Sequence, residues 1–107
     1  VARRIELRSG VLMAVNGAAA RRFVWGEVLQ EVLRLAPPGG LALDVVIRSV
    51  EAMRPITEAL EAQADTVTLT EEQWRTLCQR LDQYPFAVAD PAIVEFGLAV
   101  RNAPEIT

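Results

Sequence analysis

The sequence predicts a mainly α protein of the α+β kind: one domain over residues 1–107, with about four to five helices and a small two-stranded β element. Three observations carry this expectation. Several long segments repeat apolar residues at helical spacing, two short runs alternate apolar with polar residues, and the 51% hydrophobic content is rich in alanine with few aromatics.

The opening Arg3-Arg4-Ile5-Glu6-Leu7-Arg8 reads as a strand, with Ile5 and Leu7 on one face and Arg4, Glu6 and Arg8 on the other. Residues 9–25 admit a helix or a hairpin. Asn16-Gly17 between apolar runs is a strong hairpin signal, yet the same pair ends helices in a left-handed cap. Ala18-Ala19-Ala20 is poor strand material, which favours a short helix with Ser9 as its N-cap. From Val24 to Ala36, Val24, Trp25, Val28, Leu29, Val32, Leu33 and Leu35 fill one side of an amphipathic helix that Pro37-Pro38-Gly39-Gly40 stops. A further helix starts near Asp44, its expected core stripe being Val46, Val50, Met53, Ile56 and Leu60, with Glu51, Arg54, Glu58 and Glu61 outward. Pro55 is expected to kink this helix or to restart it in a new first turn.

Val67 and Leu69 alternate with Thr66 and Thr68 as a second strand, which ends where Thr70 begins a helix. Gln73, three residues on, completes a capping box, and Leu69 with Trp74 supplies the hydrophobic staple. This helix runs through Leu77, Cys78 and Leu81 and yields at Tyr84-Pro85, after which Asp90-Pro91 opens the last helix, running to about Asn102. The strands around Ile5 and Val67 are expected to pair with each other, because neither is stable alone.

Composition removes whole classes of chemistry. All eleven basic residues are arginine, with no lysine and no histidine. An imidazole base or metal ligand, a Schiff-base lysine and a phosphate-loop lysine are therefore excluded. Cys78 lies on an apolar stripe without a basic neighbour to activate it, so it reads as a small buried hydrophobe. The carboxylates at Glu51, Glu58, Glu61, Asp65, Glu71 and Glu72 could supply an acid–base pair or a hard-metal site, but their spacing describes a solvated face. No catalytic, cofactor or metal site is expected.

What remains is surface. The net charge of −3 is uneven: residues 1–26 hold five arginines against one acid, and the remainder six arginines against thirteen acids. Such halves can meet within the fold, meet between copies or face different partners. Arg3, Arg4, Arg8, Arg21 and Arg22 are the candidate basic contact residues. In the last helix, Ala92, Ile93, Phe96, Val100 and Ala103 share one side, while Val94 and Leu98 form a second apolar ridge nearly opposite. Either this helix is buried all round or the second ridge meets another chain.

The expected function is thus that of a non-catalytic protein-interaction module, binding copies of itself, a larger partner or both. The alternative is an arginine-dependent nucleic-acid binder, against which the net acidity and scarce aromatics stand; an enzyme using only carboxylates is a distant third. No run has the roughly 18 apolar residues needed to cross a bilayer, and no stretch reads as a signal peptide, so a cytoplasmic setting without membrane is expected. The absence of lysine beside abundant Ala, Arg, Val and Leu fits a high-GC genome, and Val1 read as a literal GUG start fits a small bacterial or phage accessory, assembly or inhibitor protein.

Overall fold

A computed structural model describes residues 1–12 and 20–106. In chain order the elements are β1 (Ala2–Glu6), β2 (Ser9–Leu12), β3 (Arg21–Val24), α1 (Trp25–Arg34), α2 (Leu43–Glu61), β4 (Thr66–Thr70), α3 (Glu71–Gln83), α4 (Pro91–Arg101) and β5 (Glu105–Ile106). Alternation in the first and fourth strands does what it implies: β1 and β4 pair antiparallel, with Ile5 opposite Val67 and Arg3 opposite Leu69. Ile5, Val67 and Leu69 thereby enter the core together.

The β content exceeds the single pair expected. β1 is the middle strand of a three-stranded sheet ordered β4, β1, β5, because the chain returns after α4 and the Arg4 amide donates to the Pro104 carbonyl at 3.1 Å. A separate two-stranded sheet joins β2 to β3, so the described residues hold four helices and five strands, an α+β fold. The helix expected from Ser9 is corrected as well. Ser9–Leu12 is extended and pairs with Arg21–Val24, Gly10 opposite Phe23, which settles residues 9–12 and 21–24 as paired strands. Backbone pairing and the insertion of Phe23 into the core outweigh the helix propensity on which the expectation rested. Asn16-Gly17, the other half of that expectation, lies outside the described residues.

The core is built by α1, α2 and α3 against the sheet, with α4 closing one side. Trp25, Leu29, Val32 and Leu33 are the large buried side chains of α1. Phe96 of α4 receives Phe23 and Trp25 edge-on, each with ring centroids 5.4 Å away. At Gly26, α1 lies so close to α2 that a methyl group there would come within 2.3 Å of Leu60 Cδ2.

The inward face of α2 matches the expected stripe in the second half of the helix, where Ile56 is buried and Met53 and Leu60 pack against the core, and departs from it in the first half. Ser49, Ala52 and Ile56 are buried, whereas Val46 and Val50 are exposed. Small residues at 49 and 52 let neighbouring elements approach, and Ser49 meets a side chain that a valine could not satisfy. Nor does Pro55 break the helix, which runs unbroken from Leu43 to Glu61. Proline lacks the N–H that would bond the carbonyl four residues earlier, at Glu51. That carbonyl instead accepts from Gln73 Nε2 of α3, at 3.3 Å.

The Thr70 capping box is present in full. Thr70 Oγ1 accepts from the Gln73 amide at 3.1 Å, and the Thr70 amide donates to Gln73 Oε1 at 2.9 Å. Asp90 caps α4 through the Ala92 amide, with Pro91 in the first turn.

Candidate protein-interaction surface

Turning Ser49, Ala52 and Ile56 inward leaves a second apolar face on the first half of α2. Leu43, Val46, Ile47 and Val50 recur at i, i+3, i+4 and i+7 and are 74%, 38%, 50% and 52% exposed. Four large aliphatic side chains thus lie in one stripe on the outside of the domain. Asp44 and Arg48 flank the stripe and pair with each other at 3.2 Å, so the patch is edged by charge while its own side chains carry none.

The ridge on α4 is smaller. Val94 and Leu98 are 59% and 54% exposed, one turn apart, and Phe96 and Val100 fill the core-facing side. The helix is therefore not buried all round: its second ridge faces outward.

A groove of about 720 Å³ lies between α1, β3 and the segment after α3. Phe23, Val28, Phe86 and Ile93 contribute its apolar wall, and Arg21, Arg22 and Arg34 stand at its rim with Glu27 and Glu31. On its wall the Tyr84 hydroxyl donates to Glu31 Oε2 at 2.7 Å, and the Tyr84 ring meets Phe86 edge-on at 4.7 Å. Burial, reinforced by the hydrogen bond to Glu31 and its charge, pushes the Tyr84 phenol up to about 12.

The five candidate arginines do not form one patch. Arg3 is held between carboxylates, donating to Glu71 at 2.9 and 3.1 Å and to Glu105 at 2.9 Å; it also reaches the Ala103 carbonyl at 3.0 Å. Its guanidinium lies 4.1 Å from the centre of the Trp74 ring. The hydrogen bond from Arg3 holds the Glu71 carboxyl below the usual carboxylate range, against a smaller opposing effect of burial. Arg8 does similar work further along, bonding Glu95 at 2.8 Å and covering Trp25 at 4.3 Å. The basic first segment thus meets the acidic remainder inside the fold. Arg4, Arg21 and Arg22 are exposed and form no ion pair among the described residues.

Arg80 of α3 is the polar core residue that the sequence did not announce. Only 2% exposed, it donates to Ser49 Oγ at 2.8 Å, to the Leu33 carbonyl at 3.2 Å and to the Leu35 carbonyl. Its Nε has no partner among the described residues. Leu33 and Leu35 lie at the C-terminal end of α1, where carbonyls lack helical donors and the helix dipole is negative. A buried cation is therefore balanced by a helix end in place of a carboxylate. Burial lowers the pKa of this guanidinium, which remains charged all the same. The available signal was its place three residues after Leu77, on the core face of α3.

Cys78 is half-buried against the core, and desolvation pushes its thiol up; contrary to the expectation of no basic neighbour, Arg101 and Arg3 act on it with a smaller lowering effect, since the fold brings both close from distant parts of the chain. Among the described residues no three acidic or cysteine side chains group together as a metal site, and no helix is long and apolar enough to cross a membrane.

No family model matches the chain, and no curated protein and no solved structure is significantly similar to it. Its surface therefore has to be read from its own chemistry. An uncharged aliphatic stripe on α2, a shorter one on α4 and an arginine-rimmed groove are all suited to holding another polypeptide.

Proposed function

We propose that this chain is a non-catalytic protein-interaction module acting in the cytoplasm, of the small accessory, assembly or inhibitor kind that a bacterial or phage genome would encode. The observation that carries the reading is the apolar stripe of Leu43, Val46, Ile47 and Val50 on the outer face of α2. Leaving such a stripe in water forgoes about 25 cal/mol for each Å² of apolar surface that a partner could cover. Fold stability does not account for it, because the opposite face of the same helix already supplies the core contacts. The chain also lacks histidine and lysine, and burial pushes its one thiol up.

Val94 and Leu98 offer a second, smaller contact on the same reading. A nucleic-acid role draws on Arg21, Arg22 and Arg34 at the groove rim, yet Glu27 and Glu31 share that rim, and Arg3 and Arg8 are already engaged with carboxylates.

Affinity capture from the native host tests the reading. Wild type should retain a protein that Ile47→Glu releases while staying folded. Retention of the same proteins by both forms would overturn the role given to α2.

A further inference from the structure

We propose that the outer face of α2 pairs with the same face of a second copy of this chain, the two helices antiparallel about a two-fold axis. The proposal rests on the interaction-module reading and names the partner. In a helix rising 1.5 Å per residue, Leu43 to Val50 spans about 10 Å, and the ridge line continues to Arg54 on the same side. One end of the line therefore carries Asp44 beside Leu43, and the other end carries Arg54.

Those charges select the orientation. In a parallel pair each residue lies beside its own copy, so Arg54 meets Arg54 and Asp44 meets Asp44. Turning one helix about an axis that crosses α2 between Ile47 and Val50 puts Ile47 of each copy against Val50 of the other. Arg54 of each copy then comes within side-chain reach of Asp44 across the pair, and its methylene stem covers Leu43. Both ends of the apolar line thus gain an opposite charge from the same symmetry operation, and the two helix dipoles oppose.

An isologous contact of this kind closes at two copies and leaves no repeating surface. The α4 ridge lacks this self-complementarity. Val94 and Leu98 supply two aliphatic side chains where α2 supplies four.

Sedimentation velocity at micromolar and millimolar concentration, with circular dichroism to monitor folding, tests the pairing. Wild type is expected as a dimer and Ile47→Glu as a monomer with an unchanged helical spectrum. Arg54→Glu should raise the dissociation constant about tenfold, the combined worth of the two symmetry-related charge pairs it breaks. Adding Asp44→Arg to that variant should restore association, because the swapped charges still meet in an antiparallel pair. Should Ile47→Glu unfold, the two charge variants, on exposed residues, read the same interface.

Wild type that stays monomeric at millimolar concentration overturns self-pairing. So does a dimer abolished by Leu98→Glu and untouched by Ile47→Glu, and failure of the charge swap overturns the antiparallel arrangement. The interaction-module reading is separate: it survives a monomeric wild type if Ile47→Glu releases a captured partner, and the role given to α2 fails if capture is indifferent to that change.

Discussion

Gln73 donates its side-chain amide to the carbonyl of Glu51, the oxygen that Pro55 leaves without a helical partner. The same side chain closes the capping box of α3 by accepting from the Thr70 amide. One glutamine therefore repairs α2 and starts α3. Replacing it by glutamate keeps the acceptor for Thr70 and removes the donor to Glu51.

Gln73→Glu should accordingly cost about 1 kcal/mol, the net worth of one such hydrogen bond. In a Pro55→Ala background, where residue 55 recovers its N–H, the same change should cost much less. Chemical denaturation of the four members of this cycle measures the difference. Equal costs in both backgrounds would show that the Gln73 contact does not serve the gap left by Pro55.

Arg80 gives a second test. Arg80→Ala leaves the carbonyls at the end of α1 and the Ser49 hydroxyl without their donor and opens a void, so a loss of about 3 kcal/mol is expected. Ser49→Ala should cost less, about 1 kcal/mol, because the guanidinium keeps its backbone acceptors. Urea unfolding reads both, and a neutral Arg80→Ala would mean that the guanidinium stabilises nothing.

These relationships explain what could be read in advance. The β1–β4 pairing and the Thr70 cap were legible because each is written locally, in the alternation of Ile5 with charged neighbours and in Thr70 followed by Gln73. The face of α2 was not. Its first half is apolar on two sides, and periodicity alone favours Val46 and Val50; what turns Ser49 and Ala52 inward is the approach of α1 and the guanidinium of Arg80, both distant in sequence. β5 has two residues and exists only because β1 offers an edge. The pairing of Ser9–Leu12 with Arg21–Val24 was hidden by the alanines before Arg21 and depends on burial of Phe23. For the candidate surface, Val94 and Leu98 were visible as a second ridge, whereas the exposure of the α2 stripe followed only once its inner face was known.

Trp74 joins the cap to the rest of the fold. Its indole N–H donates to the Val100 carbonyl at 2.8 Å, and its ring carries the guanidinium of Arg3. Thr70→Ala should cost about 0.5 to 2 kcal/mol and Trp74→Ala about 3 to 5. Trp74→Phe, which keeps a ring under Arg3 and loses the N–H, should fall between wild type and alanine. Thermal unfolding checks the order, and a neutral Trp74→Ala would contradict the packing described.

Tyr84 is the only tyrosine, so ultraviolet absorbance follows its ionisation without interference from another phenol. The midpoint should lie near 12, above the usual phenol value of about 10. Glu31→Gln should lower it, by removing the charge that opposes phenolate formation. Because the folded form holds the proton more tightly, this contribution to stability is complete below the unfolded pKa and is lost as pH rises towards the folded value. An unshifted midpoint in native protein would place Tyr84 in water, away from Glu31.

The central claim is that α2 touches another polypeptide through its outer face. Photo-crosslinking from a benzophenone side chain at Ile47, with exposed Gln79 of α3 as the control position, tests it in the native host. A discrete protein adduct is expected from position 47 and none from position 79. No adduct at 47, or indistinguishable smears from both positions, would contradict it.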